Sequence, residues 1–333
     1  MAKPPLLLRQ ALRPVLRALD SRIDRRIRHT GGERGRTVTE LRRAVEELRA
    51  EVSALRSGGV AGVGPGGPPN AADPAADPVV RATVEAIFGP EGRRDRRVDP
   101  DRMRMLAAEL ADLGDPRGVA PREVVIAHRT LVEVENRGVG RVAGSTPNIV
   151  GKLAAVPLLR PPNGEILEIG CLYGLFAGAL VRQVLRSGSD YRLTLVDPVA
   201  PRQLQGGREL REDASGVPIT EALVRSNLAL AGVDPDRTRL CRGLSGDPEV
   251  RAAASDRSYG LVVVDGDHTA EGVAADLEWV ETITAPGAVV VLDDYGARQW
   301  PGVQEATDRH LKRGDGRLEW VGRVATSAFL RAR

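Results

Sequence analysis

The stretch that decides the fold is residues 165–174, which read Glu-Ile-Leu-Glu-Ile-Gly-Cys-Leu-Tyr-Gly. Its apolar run ends around Glu168, glycines follow at Gly170 and Gly174, and a helix-like segment covers Leu175–Leu185. This order of strand, glycine turn and helix lets a nucleotide-like ligand approach bare backbone at the start of a helix. The spacing is E-x-G-x-x-x-G, so it differs from the G-x-G-x-x-G of dinucleotide-binding folds.

Beyond Pro161, short apolar runs alternate with helix-like segments. Such alternation predicts an α/β fold with a mainly parallel sheet and helices on both of its faces. In folds of this kind the ligand lies at the carboxyl ends of the strands. The predicted strands are Glu165–Ile169, Arg192–Val196, Arg239–Arg242, Gly260–Val264, Ala288–Leu292 and Ala325–Arg331.

A carboxylate, Asp197, follows the second run directly. At the end of a strand, one strand after Gly170 and Gly174, this side chain can accept both hydroxyls of a ribose. A simple turn former or helix cap would also explain an aspartate at a strand end. We predict ribose binding at Asp197.

Three further aspartates follow two later strands. Asp265 comes after Leu261–Val264, and Asp293 and Asp294 come after Val289–Leu292. Since neighbouring strands lie about 5 Å apart, these carboxylates can converge. Clustered acids repel unless a cation or shared protons relieve them, and hard oxygen ligands favour Mg²⁺. We predict a magnesium site here, although one or two of the three could be ordinary caps.

His268 lies three residues after Asp265. If this loop forms a helical turn, the two side chains share one face, and the imidazole lies beside the metal. Histidine is well suited to remove a proton from a hydroxyl group near neutral pH. His268 is therefore the predicted general base. The other three histidines are expected to be surface or packing residues.

Together these motifs resemble the class I S-adenosylmethionine (SAM) methyltransferases over residues 160–333. Asp-Gly-Asp-His at 265–268 and Leu-Asp-Asp-Tyr at 292–295 resemble the metal-dependent sugar O-methyltransferases of macrolide biosynthesis, a group that includes cephalosporin hydroxylase-like proteins. The resemblance implies a Rossmann-like methyltransferase fold and SAM as methyl donor. It also implies Mg²⁺ at Asp265, Asp293 and Asp294, with His268 as base.

The resemblance implies further contacts around the donor. Glu168 is expected near the methionine part of SAM, or to order the glycine loop. Ser245 is expected on the adenine side, although a helix N-cap explains it equally well. Trp300 can either stack on a substrate ring or pack internally, and the loop around Gly138–Asn148 can close over the cofactor as a lid.

The N-terminal part has a different composition. Residues 1–36 hold ten Lys or Arg and three Asp or Glu, a charge of +7, whereas the whole chain carries +3 and the rest therefore −4. A nucleic-acid enzyme would more often place positive charge around its active site, so no nucleic-acid partner is expected. This basic segment either docks on its own protein or contacts a partner or an acidic membrane surface.

Residues 37–56 show valine and leucine at alternating spacings of three and four, which favours a parallel two-stranded coiled coil. The stretch is under three heptads, so it would serve as a small dimerisation handle in a homodimer or larger homo-oligomer, or else pack on the body. The seam residues are Val38, Leu41, Val45, Leu48, Val52 and Leu55.

We therefore predict four parts: residues 1–57 as a basic helix and short coiled coil, 58–78 as a Gly/Pro/Ala linker, 79–159 as a helical lead-in, and 160–333 as the methyltransferase domain. The two cysteines, Cys171 and Cys241, are expected to be buried thiols. No apolar run is long enough for a spanning helix or a signal peptide, so a cytoplasmic protein is expected, with peripheral membrane contact through the basic arm as an option.

The predicted function is SAM-dependent, Mg²⁺-assisted methylation of a hydroxyl on a sugar or small natural product. One alternative is a catechol-like phenol substrate, which the low aromatic content of 3% disfavours because few rings are available for stacking. The other is a non-catalytic scaffold recruited through its N-terminal arm. The cluster of aspartates argues against the scaffold, since a site without catalytic function has no physical reason to keep acids that repel one another.

Overall fold

The computed structural model describes residue 96 and residues 100–115, 117–201 and 217–333. The predictions for 1–57, for the 58–78 linker and for a helix at Val79–Phe88 lie outside the described residues. No helix among the described residues is long and apolar enough to cross a membrane.

Three helices precede the sheet: α1 (Pro100–Asp112), α2 (Ala120–Arg137) and α3 (Thr146–Leu159). The first two match the predicted helical segments to within two residues at each end. Ser145 caps α3, its side chain accepting a hydrogen bond from the Asn148 amide. Apart from Asn148 and Lys152, the buried residues of α3 are apolar or glycine. This helix is therefore almost entirely core, and its two polar side chains need partners.

The rest is an alternation of strands and helices. The strands are β1 (Glu165–Ile169), β2 (Arg192–Asp197), β3 (Thr238–Arg242), β4 (Tyr259–Val264), β5 (Thr284–Leu292), β6 (Leu318–Val324) and β7 (Ser327–Ala332). The helices are α4 (Leu175–Arg186), α5 (Glu221–Leu230), α6 (Pro248–Ala254), α7 (Ala270–Ile283) and α8 (Pro301–Lys312), with a 3₁₀ turn at Pro235–Arg237.

The seven strands form one sheet in the order β3-β2-β1-β4-β5-β7-β6. The first five are parallel, and β7 pairs antiparallel with both β5 and β6. The strand order reverses between β1 and β4, so the carboxyl ends of these two strands flank the crevice where ligands bind in open α/β sheets. The predicted mainly parallel sheet is confirmed.

Side chains alternate between the two faces of the sheet, as period-2 strands require. On β4, Leu261 and Val263 pack into a core shared with α1–α5, whereas Val262 and Val264 pack into a second core with α6–α8. Both faces are therefore covered, which explains why the central strands are continuously apolar. Cys171 and Cys241 are free and buried, as predicted.

Candidate functional site

The glycine turn after β1 adopts backbone conformations that favour glycine. Gly170 has φ +85° and Gly174 has φ +72°, both in the left-handed region. The Gly170 amide donates to the carbonyl of Val196 at 2.9 Å, which ties the turn to β2. A Cβ atom on Gly170 would lie 2.3 Å from the Asp265 carbonyl oxygen. The turn can therefore approach the end of β4 only because residue 170 has no side chain.

Substituting Gly170 with alanine is expected to lower the free energy of unfolding by well over the roughly 1 kcal/mol of backbone strain alone, because backbone atoms of Asp265 must also move. Gly188 offers a matched control, since it has φ +79° but open space where a Cβ would lie. Urea unfolding of the two variants checks this. Equal losses in Gly170→Ala and Gly188→Ala would show that the close approach contributes nothing.

Asp197 organises the turn from the end of β2. Its Oδ2 accepts hydrogen bonds from the amides of Cys171 at 2.7 Å and Leu172 at 3.0 Å, and its Oδ1 accepts from the Val199 amide at 2.7 Å. The carboxylate is 8% exposed and lines the cavity described next. Asp197 thus holds the turn in place and also lines the cavity. Its contact with a ribose stays a prediction.

A cavity of about 780 Å³ opens at the carboxyl ends of β1, β2 and β4. The predicted residues Gly170, Asp197, Ser245 and Asp265 line it, and so does Ala143 of the predicted lid loop. The amide and carbonyl of Val139 in that loop bond to the Asn227 side chain at 2.8 Å each. The loop is therefore anchored at one end, and its closure stays a prediction.

A buried acid of this cavity, Asp276 on α7, was not among the predicted site residues. Its side chain is 1% exposed, and one carboxylate oxygen is buried without a hydrogen-bond partner. Burial raises the pKa of Asp276 to about 6, although Ser245 and Arg251 oppose the shift. An apolar helix face with one aspartate was the available signal, since an acid among Val273, Leu277 and Val280 is costly unless it has a role.

Glu168 is buried within β1, at 1% exposure, and it is not among the residues that line the cavity. Burial raises the pKa of Glu168 to about 8, although the Lys152 ammonium lowers it; the negative charge of Asp197 adds to the rise. Its Oε2 has no hydrogen-bond partner among the described residues. Near neutral pH, Glu168 is therefore largely a neutral acid, so a role in ordering the glycine loop suits it better than direct contact with a ligand.

Glu168→Gln is expected to stabilise the protein at pH 8.5 by about 3–5 kcal/mol relative to wild type, at about 1.4 kcal/mol per pKa unit. Because the folded-state pKa lies above the ordinary glutamate value of 4.5, wild-type stability falls as pH rises through the window from about 4.5 to 8. Glutamine removes that dependence, so the difference should shrink to near zero at pH 4.5. Urea unfolding at the two pH values measures it. A pH-independent difference would contradict the neutral-acid assignment.

The predicted acidic cluster lies at the ends of β4 and β5. Val264 and Leu292 are register partners, and Asp265, Asp293 and Asp294 follow them directly. The Asp293 amide donates to the carbonyl of Val264 at 3.0 Å. Asp265 and Asp294 keep 24% and 21% of their side chains exposed, whereas Asp293 keeps 5%. Only two of the three carboxylates therefore reach solvent.

Asp293 is held by other side chains. Its Oδ1 accepts from Asn148 Nδ2 at 2.6 Å and lies 2.9 Å from the Ser327 hydroxyl, while its Oδ2 accepts from the Lys152 ammonium. Among the described residues, no group of three or more His, Cys, Asp or Glu side chains is arranged to hold a metal ion. The three aspartates as Mg²⁺ ligands stay a prediction, and both oxygens of Asp293 are already engaged.

Three residues that hold Asp293 were not among the predicted site residues: Asn148, Lys152 and Ser327. Asn148 and Lys152 lie four residues apart on α3, so both point from one face of the helix toward Asp293. A signal was available, because Lys152 is the only charged residue between Ile149 and Leu159, and isolated charges in apolar helices are seldom buried without a partner.

His268 lies beside the two accessible acids. Its Nε2 is 3.1 Å from Asp294 Oδ2 and 3.8 Å from Asp265 Oδ1. The loop between Asp265 and His268 is not helical, since α7 begins at Ala270 after the Thr269 cap. The predicted proximity to Asp265 therefore arises from a bend and not from a helical turn. His268 Nδ1 is buried with no hydrogen-bond partner among the described residues, whereas Nε2 faces Asp265 and Asp294.

The Trp300-Pro301-Gly302 segment packs against His268. The Trp300 ring lies 4.5 Å from the His268 ring, between centroids, at an interplanar angle of 33°. Pro301 begins α8, and a Cβ on Gly302 would lie 2.7 Å from the His268 carbonyl oxygen. Trp300 thus packs on His268, which favours the internal-packing interpretation of this residue.

A seven-stranded sheet with this order and an antiparallel β7, a glycine turn after β1 and an acid after β2 define a Rossmann-like fold of the class I methyltransferase type. Residues 167–295 match the family model described as "Methyltransferase domain". The match covers about two fifths of the chain and agrees with the resemblance to methyltransferases recognised from the sequence.

Several solved structures are similar to this chain. The O-methyltransferase NovP is 18% identical, with 69% of this chain and 96% of that chain covered and a TM-score of 0.43. CalS11, a TDP-rhamnose 3'-O-methyltransferase of calicheamicin biosynthesis, is 17% identical, with coverages of 71% and 96% and a TM-score of 0.39. TomG of Streptomyces achromogenes is 15% identical, with coverages of 70% and 99% and a TM-score of 0.40. The search of curated proteins gave no significant match.

Proposed function

We propose that this protein transfers a methyl group from SAM to a hydroxyl group of a sugar or small natural product. The observation that carries the proposal is the position of His268 Nε2, between the partly exposed acids Asp265 and Asp294 and next to a cavity that begins at the glycine turn. A base at the edge of a cofactor-sized cavity, in a methyltransferase domain, suits transfer to a protonated oxygen acceptor.

The cavity suits a nucleoside-containing methyl donor. Gly170 exposes backbone in the turn that precedes α4, and the side chains of Asp197, Ser245 and Asp276 also belong to residues that line the cavity. An adenosine needs a ribose acceptor and polar groups beside its base, and these four residues supply such groups. When bound, SAM supplies an electrophilic methyl group. The chain's task is then to bind the donor, orient the acceptor and take the acceptor's proton.

His268 performs the proton transfer in this proposal. A substrate hydroxyl would enter on the Nε2 side and give its proton to Nε2, which would prepare the oxygen to accept the methyl group that bound SAM would supply. Nε2 lies 3.1 Å from one carboxylate oxygen of Asp294 and 3.8 Å from one carboxylate oxygen of Asp265. These acids stabilise the charge of the imidazolium that forms. Trp300 packs on the ring and holds its orientation.

The magnesium assistance predicted from the sequence depends on Asp265, Asp293 and Asp294 as ligands. Asp293, one of the three predicted ligands, has both oxygens engaged by protein donors, among them a lysine ammonium. The residues present therefore do not fit a three-aspartate Mg²⁺ site. A sugar hydroxyl remains the proposed acceptor over a catechol, since the chain has few aromatic side chains to stack a phenol.

Calorimetric titration of SAM into the full chain, with Mg²⁺ and again with EDTA, tests the donor. Micromolar binding in both buffers is expected. Radiolabelled SAM incubated with parallel panels of glycosides and catechols then tests the acceptor, with label expected in glycosides. Absence of SAM binding in either buffer would refute the enzyme and leave the scaffold alternative. Label in catechols alone would refute the sugar assignment.

We also propose that the chain forms a homodimer or larger homo-oligomer through residues 37–56, on the strength of their valine and leucine spacing. The basic residues 1–36 would then be available for a partner or an acidic membrane surface in the cytoplasm. Light scattering of the full chain and of a Leu41→Asp/Leu48→Asp variant compares their masses. A monomeric full chain, or equal masses above monomer, would refute the coiled-coil handle.

A further inference from the structure

One buried cation, the side chain of Lys152, lies inside the acidic cluster. Its side chain is 2% exposed; the ammonium bonds to Asp293 and lies 3.6 Å from Asp265 Oδ2. The same nitrogen lies 4.6 Å from the centre of the Phe176 ring. The chain has only three lysines among its 48 basic residues, so a compact ammonium here is an exception in an arginine-rich protein. An ammonium is a point charge that fits where a planar guanidinium would not.

The surroundings pair this ammonium with carboxylates. It bonds to Oδ2 of Asp293, and it lies 3.6 Å from Oδ2 of Asp265. Lys152 and Asp293 thus form a buried ion pair, and the Asn148 and Ser327 side chains complete the hydrogen bonding of Asp293.

A bound divalent ion would conflict with this arrangement. Mg²⁺ needs near-octahedral oxygen ligands at about 2.1 Å, and a positive ammonium bonded to one intended ligand repels it. The ammonium instead lies close to both Asp293 and Asp265, where its positive charge relieves their repulsion. The acids left open are Asp265 and Asp294, which face His268.

We propose that Lys152 is the resident cation of this site and takes the place of the divalent metal, so that methyl transfer here needs no metal ion. That methyl transfer needs no metal rests on the proposed function, whereas the role of Lys152 as the resident cation does not. Lys152 is a positioning residue, since it is buried and acts by holding Asp293 and Asp265 in place beside His268. It does not touch the substrate.

Manganese binding to the full chain tests the proposal independently of turnover. Electron paramagnetic resonance of free Mn²⁺ is followed during titration with wild type, Lys152→Ala and the control Lys312→Met, a lysine on α8 remote from the cluster. Wild type and Lys312→Met should leave millimolar Mn²⁺ unbound. Lys152→Ala removes the ammonium and opens space, so it should bind one Mn²⁺ on the order of 100-fold more tightly. Adding Asp294→Asn should weaken that gain.

Stoichiometric Mn²⁺ binding by wild type that is lost in Asp293→Asn would overturn the proposal. Failure of folded Lys152→Ala to gain Mn²⁺ binding would overturn it too, because the acids would then not form a cation site. If Lys152→Ala does not fold, Lys152→Gln replaces it under the same criteria. Turnover in EDTA should equal turnover in Mg²⁺. If the wild-type chain does not bind SAM, only the proposed function is refuted, because the Mn²⁺ titration still tests the role of Lys152.

Discussion

Replacing His268 with alanine should lower the rate of methyl transfer by about 10²–10⁴-fold, the usual contribution of a positioned general base. The affinity for SAM should change little, because His268 is not among the residues lining the cavity. Two measurements on the same preparation check this. One is the rate of label transfer from SAM to the acceptor found by screening, and the other is the dissociation constant of SAM from calorimetry.

The matched control for this substitution is His128→Ala, a histidine on α2 outside the site. It should keep its rate within about twofold, as is usual for changes away from the reacting groups. If His268→Ala retained full turnover on the same acceptor, Nε2 would not be the base. If instead SAM affinity fell with the rate, the residue would hold the donor site and the mechanism above would be wrong.

Asp197→Ala should weaken SAM binding by at least about 100-fold, because two amide donors of the glycine turn and one amide just after β2 lose their acceptor, at about 1–3 kcal/mol each. Those amides belong to Cys171, Leu172 and Val199. Leu172 and Val199 both have φ +49°, so without the carboxylate their left-handed conformations lose a restraint. Calorimetry on SAM gives the affinity, and urea unfolding gives the accompanying loss of stability.

Asp190→Ala provides the comparison, since Asp190 is an exposed acid just before the other end of β2, paired with Arg237. Its removal should leave SAM affinity unchanged. Should Asp197→Ala fold and bind SAM as well as wild type, the carboxylate would neither organise the turn nor contact the ribose. Asp197→Asn separates charge from shape, because the amide keeps one acceptor oxygen but loses the other.

The sheet could be predicted well where strands are buried on both faces. Such strands are continuous apolar runs, as in Leu261–Val264 and Val289–Leu292, and each was placed to within a few residues. The edge strand β6 was missed because its sequence, Leu-Glu-Trp-Val-Gly-Arg-Val, is only partly buried and shows no clear alternation. β7 was predicted two residues early, since the turn before it has the same small and apolar residues as the strand.

For the site, sequence alone located the residues that follow a strand directly, because strand ends converge at one edge of the sheet. It could not locate Asn148, Lys152 or Ser327, whose position depends on how α3 and β7 pack against β5. From the motifs alone, the acidic cluster has no partner and a metal ion is predicted. In the folded chain the partner is the ammonium of Lys152, a residue 113 positions before Asp265.

The lead-in helix α3 therefore cannot be treated as a detachable module. A shortened protein starting at residue 160 would keep every motif that identifies the methyltransferase domain. It would nevertheless bury Asp293 without Asn148 and Lys152, and would lose the Leu159 carbonyl that accepts from Arg331. The boundary drawn by motifs and the boundary of the working unit differ by at least one helix. Any transplant of this site onto another scaffold must carry α3 with it.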